Sequence, residues 1–271
     1  MQGIDVFIPT AKKATYINKL LKVGFDTIDV GSFVSPKAIP QMRDTSELLS
    51  MLDLSSTDTH LLAIVANVRG VERACQFDEI DFLGYPLSLS ETFQKRNTNR
   101  SIESAFNDLV QVQDILDGTS KELVVYLSMG FGNPYGDHYE LDFVEEFTYK
   151  LDQMKVGVIS LADTIGVASP ETISVLFNHL IPRFPHIEFG AHLHTTLDTA
   201  FEKIEAVYRS GCRRIDGAVR GFGGCPMADD ELVGNMPTEK ISAWLVQNQA
   251  YINLNQALLK EAIHASLEVF G

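Results

Sequence analysis

Residues 189–196 read Phe-Gly-Ala-His-Leu-His-Thr-Thr, an apolar run of strand character that sets His192 and His194 two positions apart. Successive side chains on a strand point to opposite faces, so the two imidazoles share a face, roughly 6.5 to 7 Å apart along the backbone. One cation could take both rings. For an isolated His-x-His the plain alternative is two unrelated histidines near a loop. The chain around the pair favours the first reading, because its pattern predicts that this strand end opens onto an active site.

Outward from that run, short β-branched segments at 26–33, 60–67, 79–86, 122–130, 156–162, 187–194 and 213–219 alternate with helical patterns near 11–23, 41–52, 69–76, 101–116, 139–154, 170–180 and 197–209. Two more helical patterns, 238–248 and 254–269, follow the last strand. A strand spacing of roughly 30 residues indicates right-handed βα units around a parallel sheet. The expected fold class is α/β, a TIM-type (β/α)8 barrel. Such a barrel needs eight strands, and seven are visible. The chain opens with a loop and a helix where a first strand should already have passed, so the expectation is a barrel lacking its first strand here. An open doubly wound sheet competes, but no Gly-x-Gly-x-x-Gly follows an early strand and the spacing is too even for two halves. No low-complexity linker divides residues 1–271, which read as one domain with C-terminal helices at about 238–269.

With 271 residues and 45% hydrophobic content the chain can bury one large core. A formal net charge of −14 leaves no basic stripe for a phosphate backbone, which argues against a nucleic-acid partner. An anionic ligand must therefore be met by local donors. Three cysteines, Cys75, Cys212 and Cys225, make no disulfide framework and fit a reducing compartment, the cytoplasm. No apolar run approaches a membrane span, and the N-terminus lacks the layout of a signal peptide, so no membrane partner is expected.

In such barrels chemistry gathers at the C-terminal ends of the strands. Asp29, Gly31, Ser32 and Phe33 close the first visible strand; Asp163-Thr164-Ile165-Gly166 follows the fifth, and Ser160 also faces the rim. His192 and His194 end the sixth, and Gly221-Phe222-Gly223-Gly224-Cys225-Pro226 follows the seventh, with Asn235 ten residues beyond Cys225. Taken singly, Asp163 could cap a turn, Cys225 could be a small buried hydrophobe and the glycines could only shape a loop. Together with two histidines on the same rim, they read as one site. Two neutral imidazoles plus the Asn235 amide oxygen make a nitrogen and oxygen donor set without thiolate, suited to Mg²⁺ or Mn²⁺, although imidazole also accepts Zn²⁺. A carboxylate is wanting from this set; Asp163, Asp29 or a residue of the absent first strand could supply it. A cation held there would act as a Lewis acid and stabilise an enolate as a carbon–carbon bond breaks or forms. Cys225, in a glycine loop, could give or take a proton once the loop closes.

These residues carry a resemblance. Ser32-Phe33-Val34-Ser35-Pro36-Lys37, Pro40-Gln41-Met42, Asp163-Thr164-Ile165-Gly166, the histidine pair and Gly223-Gly224-Cys225-Pro226 resemble 3-hydroxy-3-methylglutaryl-CoA lyases, from about residue 9 to 265. The resemblance implies a metal-dependent barrel that cleaves 3-hydroxy-3-methylglutaryl-CoA to acetyl-CoA and acetoacetate. By matching position it implies His192, His194 and Asn235 as metal ligands and Cys225 as the loop cysteine of catalysis, with Asp163 and Asp29 as polar active-site groups. In that family the first strand ends in Arg-Asp, the Asp a metal ligand and the Arg a partner of the enolate oxygen. That segment is expected upstream of Met1. Thr195 stands where relatives commonly carry Asp, and the stretch between Cys225 and Asn235 is acidic and one residue longer.

Coenzyme A on so acidic a chain calls for a local cationic patch. Lys95, Arg96 and Arg100, interleaved with Asn97 and Asn99, offer donors after the third visible strand, with a solvated helix start as the alternative. The corresponding lyase loop carries an Asn into the active site, and the resemblance assigns Asn97 to substrate by that match; Lys95 and Arg96, as donors, and Ser32 and Ser160, which face the rim, are further substrate-binding candidates. Ser101, three residues ahead of Ser104, is a weak candidate helix cap. Two other functions stay open: a Claisen-type synthase or aldolase on the same barrel, and a catalytically incompetent barrel or binding module. Unpaired edges flanking an absent strand favour pairing with another chain, so a homodimer is expected.

Overall fold

The structure, a computed structural model, describes residues 1, 4, 6–223 and 234–270. Among the described residues seven strands, β1 (Thr27–Ser32), β2 (His60–Ile64), β3 (Phe82–Ser88), β4 (Glu122–Ser128), β5 (Val158–Asp163), β6 (Glu188–Leu193) and β7 (Arg214–Asp216), form a single parallel sheet in sequence order. The sheet curls into a partial barrel with the helices outside. Among the described residues β1 pairs only with β2 and β7 only with β6, so the barrel is open between β1 and β7.

Among the described residues ten α-helices surround it: α1 (Thr10–Leu20), α2 (Thr45–Leu49), α3 (Val68–Ala74), α4 (Glu91–Thr98), α5 (Ile102–Leu116), α6 (Leu141–Gln153), α7 (Pro170–Arg183), α8 (Ala200–Arg209), α9 (Thr238–Gln247) and α10 (Gln256–Phe270). Most stand where the periodicity put them. Ser101 is the N-cap of α5, its hydroxyl accepting the Ser104 N–H at 3.1 Å. The helix that periodicity did not reveal is α4, and polar anchors explain why. Ser90 caps it by accepting from Phe93 N–H, Asp137 accepts from the Ser90 hydroxyl and from Thr92 N–H, and Gln94, buried, accepts from Ser88 N–H at 2.7 Å. No helix among the described residues is long and apolar enough to cross a membrane.

The pleat sorts each strand into two faces. Outward residues such as Leu83, Leu87, Val125, Leu127, Ile159, Leu161, Ala191 and Leu193 join the main core with Leu109, Val144, Phe177, Leu180 and Val207 from the helices. Inward residues Leu62, Val124 and Val158, with Ile64, Phe82 and Tyr126, plug the bottom of the barrel. Little room remains there. A Cβ on Gly84 would lie 2.6 Å from Ile64 Cδ1 and 3.0 Å from Tyr126 Cε2. Above this plug the inward positions turn polar, and that change marks the site.

Leu161, wholly buried at the centre of the sheet, tests the outer core. Leu161→Ala should lower unfolding free energy by about 2–5 kcal/mol, the cost of lost burial plus a residual cavity. Urea denaturation followed by circular dichroism measures it, and a loss well under 1 kcal/mol, roughly that of an exposed position, would refute the packing described.

Candidate active site

Register places the polar side chains. In the β5–β6–β7 ladder Ala162 pairs with His192 and His192 with Asp216, while Ser160 pairs with Gly190. His192, two residues beyond Gly190, shares the lumen face with Ser160 and Asp216, as the contacts confirm. Asp216 Oδ2 lies 3.1 Å from His192 Nδ1, and the Ser160 hydroxyl donates to the same oxygen at 3.3 Å. Tyr126 meets the His192 ring edge-on, centroids 5.7 Å apart. On β1 the register slips between Asp29 and Gly31, so Asp29 pairs with Leu62 and Ser32 with Ile64, both of them lumen residues. That bulge puts Asp29 and Ser32 on one face despite their spacing of three. The Ser32 hydroxyl is buried and has no hydrogen-bond partner among the described residues.

His194 stands just past the end of β6, and an antiparallel bridge joins it to Asn235. Thr195 N–H donates to Gly234 O at 2.9 Å and Met236 N–H to Leu193 O at 3.0 Å, which returns the chain to the β6 end. The His192 and His194 rings are 5.8 Å apart, so two of the expected metal ligands do converge, and the Asn235 side chain hydrogen-bonds to His194. Asn235 Nδ2 donates to Phe222 O at 3.0 Å. Cys225 lies outside the described residues.

Asp163 belongs to the other face. With Ile159 and Leu161 it points away from the lumen; Oδ1 accepts from Ala168 N–H at 3.1 Å and Oδ2 from Lys203 Nζ at 3.2 Å. Lys203, on α8 and 4% exposed, also donates to His194 O at 2.8 Å. Asp163 thus touches the site through Lys203 and the His194 carbonyl, not with its own oxygens. Lys95 pairs with Glu91 one turn back at 2.9 Å, Arg96 lies over the Tyr135 ring at 4.7 Å, and Arg100 is bonded to Asp108. Asn97 is half-buried on the same helix, α4. Sequence reasoning passed over Asp216, Lys203 and Tyr126. Alternation of Arg214 and Asp216 in β7 was the available signal for the first, and the position of Lys203 between Ala200 and Val207 on the buried stripe of α8 for the second.

The charges follow from this enclosure. Asp29 is exposed as a residue, yet withdrawal of its carboxyl from water pushes it up to about 6, with the Asp216 charge adding to the rise. The Gly31 N–H at 3.2 Å, the amino terminus and His192 act against it. Burial pulls His192 down, yet the hydrogen bond and charge of Asp216, helped by Asp29 and Asp163, outweigh it and leave the ring above its ordinary value. Burial, reinforced by His192 and Lys203, pushes His194 down to about 4. At neutral pH His194 therefore offers a lone pair. A neutral imidazole, a second imidazole backed by a carboxylate and an adjacent amide form a donor set that fits a divalent cation.

One other trio among the described residues has spacing that could hold a metal ion: Asp142 and Glu145 on α6 with His179 on α7. It lies on the outer helices. Glu145 is already bonded to His179, with the Arg183 Nε 3.6 Å away.

Comparison with known proteins converges on one family. Residues 1–265 match the HMGL-like family model. The hydroxymethylglutaryl-CoA lyase YngG of Bacillus subtilis is 32% identical over 262 residues, spanning 97% of this chain and 87% of that protein. The mitochondrial hydroxymethylglutaryl-CoA lyase of Mus musculus is 30% identical over 264 residues, spanning 97% and 80%. The structure of an HMG-CoA lyase from Acinetobacter baumannii in complex with coenzyme A and 3-methylmalate superposes with a TM-score of 0.91 at 27% identity, covering 99% of this chain and 87% of that one. The carboxyl transferase domain of Rhizobium etli pyruvate carboxylase, at 14% identity and a TM-score of 0.69 over 97% of this chain and 46% of that one, shares the fold alone.

The two site histidines should titrate far apart. Histidine-selective NMR of the metal-free protein is expected to show His192 changing charge above 6.5 and His194 near 4. For His194 the unfolded chain binds the proton more readily, so acidification through that interval costs stability; Asp29, raised from 3.8 to about 6, works in the opposite sense. The ring titrations are therefore the clean observable, and a coincident pair would contradict the electrostatics described.

Proposed function

The chain belongs to the HMGL-like family, and on that premise we propose that it is a lyase cleaving 3-hydroxy-3-methylglutaryl-CoA to acetyl-CoA and acetoacetate with a divalent cation, Mg²⁺ or Mn²⁺. The family is metal-dependent, and the observation that carries the reading is the meeting of His192, His194 and Asn235 at the mouth of the barrel above an apolar plug. His192, His194 and Asn235 would hold the cation. When bound, it supplies Lewis acidity to the substrate oxygens.

The chain's own groups account for the rest. Cleavage needs a base for the 3-hydroxyl proton, after which the C2–C3 bond breaks, C3 becomes the ketone of acetoacetate and C2 takes a proton to complete acetyl-CoA. Asp29, titrating near 6 and mostly ionised at neutral pH, is the proton acceptor on the lumen side. Cys225 is the group that returns a proton to C2. The Ser32 hydroxyl, buried without a partner among the described residues, and Ser160, at the floor of the site, position the acyl group. Lys95 and Arg96, exposed on α4, with Asn97 beside them, meet the phosphates and pantetheine amides of the acyl-CoA. Asp163 acts through Lys203 on the placement of His194. We further place the protein in the cytoplasm, with Cys75 and Cys212 as free thiols, and as a homodimer, a reading supported by the edges of β1 and β7 that are unpaired among the described residues.

With Mn²⁺ or Mg²⁺, 3-hydroxy-3-methylglutaryl-CoA should yield acetoacetate and acetyl-CoA in equal amounts, while acetyl-CoA offered with a 2-oxoacid should give no condensation. His194→Ala should abolish Mn²⁺ binding in a competition assay. Cys225→Ser should leave binding intact and lower kcat by roughly 10²–10⁴-fold. Condensation without cleavage would replace the lyase by a synthase, and neither activity in a metal-binding protein would leave a barrel without catalysis.

A further inference from the structure

Asp216 closes β7, beside His192 on the neighbouring strand. The in-register pairing of His192 with Asp216 fixes the two side by side, and Asp216 Oδ2 is 3.1 Å from Nδ1 of the imidazole. An ionised carboxylate only accepts hydrogen bonds, so this contact requires a proton on Nδ1. A second donor, the Ser160 hydroxyl, reaches the same oxygen at 3.3 Å and holds the carboxylate from the β5 side. Tyr126 packs edge-on against the His192 ring, with planes at 81°, which limits the ring's rotation. Three strands, β4, β5 and β7, thus supply one contact each to the orientation of a single imidazole on β6.

We propose that Asp216 is a positioning residue: it holds His192 as the Nδ1–H tautomer, so that Nε2 keeps its lone pair for the electrophile bound at the barrel mouth. In a neutral imidazole one nitrogen carries the hydrogen and the other the lone pair, and the partner of the first decides the identity of the second. Carboxylates behind ligating histidines serve this purpose and raise the basicity of the ligand nitrogen. Ser160 takes a second duty here, since its hydroxyl is partly committed to Asp216. The identity of the electrophile as a divalent cation rests on the function proposed above; the tautomer assignment does not.

The test uses the full chain with ¹⁵N-labelled histidine, metal-free and in alkaline buffer so that both rings are neutral. Long-range ¹H–¹⁵N correlation spectra should show His192 as Nδ1–H. Asp216→Ala should shift it toward Nε2–H while leaving the His194 resonances in place, and Asp216→Asn, which keeps an accepting oxygen, should restore Nδ1–H. Ser160→Ala should leave the tautomer unchanged. In parallel, Mn²⁺ affinity read from the electron paramagnetic resonance of free Mn²⁺ should weaken roughly 10–100-fold in Asp216→Ala and recover in Asp216→Asn. A wild-type ring found as Nε2–H, or an Asp216→Ala ring that stays Nδ1–H, overturns the proposal without reference to any metal. A wild-type Nδ1–H ring that is lost in Asp216→Ala, in a protein that binds no Mn²⁺, upholds the positioning role and overturns the metal reading instead.

Discussion

The two-residue pleat of three neighbouring parallel strands decides which chemistry this protein can support. Because β5, β6 and β7 run in register, Ser160, His192 and Asp216 come together from positions 24 and 56 residues apart in the chain. A slip of one residue in β6 would send both histidines into the helix layer and bring Leu193 into the lumen. The outer core forbids that slip, since Phe189, Ala191 and Leu193 fill places among the helices that no imidazole could take without losing its hydrogen bonds. The site is thus held in place by apolar packing on the opposite side of the same strands.

One buried cation secures the end of that arrangement. Lys203 leaves the apolar stripe of α8, binds Asp163 at the end of β5 and the His194 carbonyl at the end of β6, and so ties helix to both strands where the pleat no longer constrains them. Burying an ammonium is costly unless a charge and further acceptors meet it. Here a carboxylate and two carbonyls, those of His194 and Gly166, do so. The reward is positional. His194 sits beyond the last ladder pairing of β6 with β7, and without this tether and the bridge to Asn235 its ring would have no fixed place.

The sequence showed a good part of this and missed the rest for definable reasons. Strand parity made the His192 and His194 pair legible, and the even alternation of elements made the parallel barrel legible, because both are periodic signals of adjacent residues. Helix α4 was not legible, since its fixing contacts are Gln94, Ser90 and Asp137, polar side chains that look like a loop when read singly. Asp163 was placed on the rim by its position after the strand, whereas its parity with Ile159 and Leu161 puts it behind the sheet. Ser32 reaches the lumen through a register shift in β1, and no one-dimensional pattern announces a bulge of that kind. Asp216 needed the pairing of β6 with β7, a fact about two segments at once.

The balance of charge inside the lumen then follows without further assumption. A chain of net charge −14 places Asp29 and Asp216 near His192; withdrawal from water, with a smaller contribution from the Asp216 charge, raises the Asp29 carboxyl, and the hydrogen bond and charge of Asp216 raise the His192 ring. The charges of Asp29 and Asp216 repel, and that repulsion is relieved by a proton or by a cation. His194, kept neutral by burial and by the positive charge of Lys203, does not compete to supply that cation as a proton of its own. The enclosure therefore disfavours a proton on one imidazole, surrounds the other with negative charge, and presents their two rings 5.8 Å apart. Acidic walls and a neutral donor at the mouth favour positive over negative charge for the same reason that the overall charge of the chain repels a polyanion.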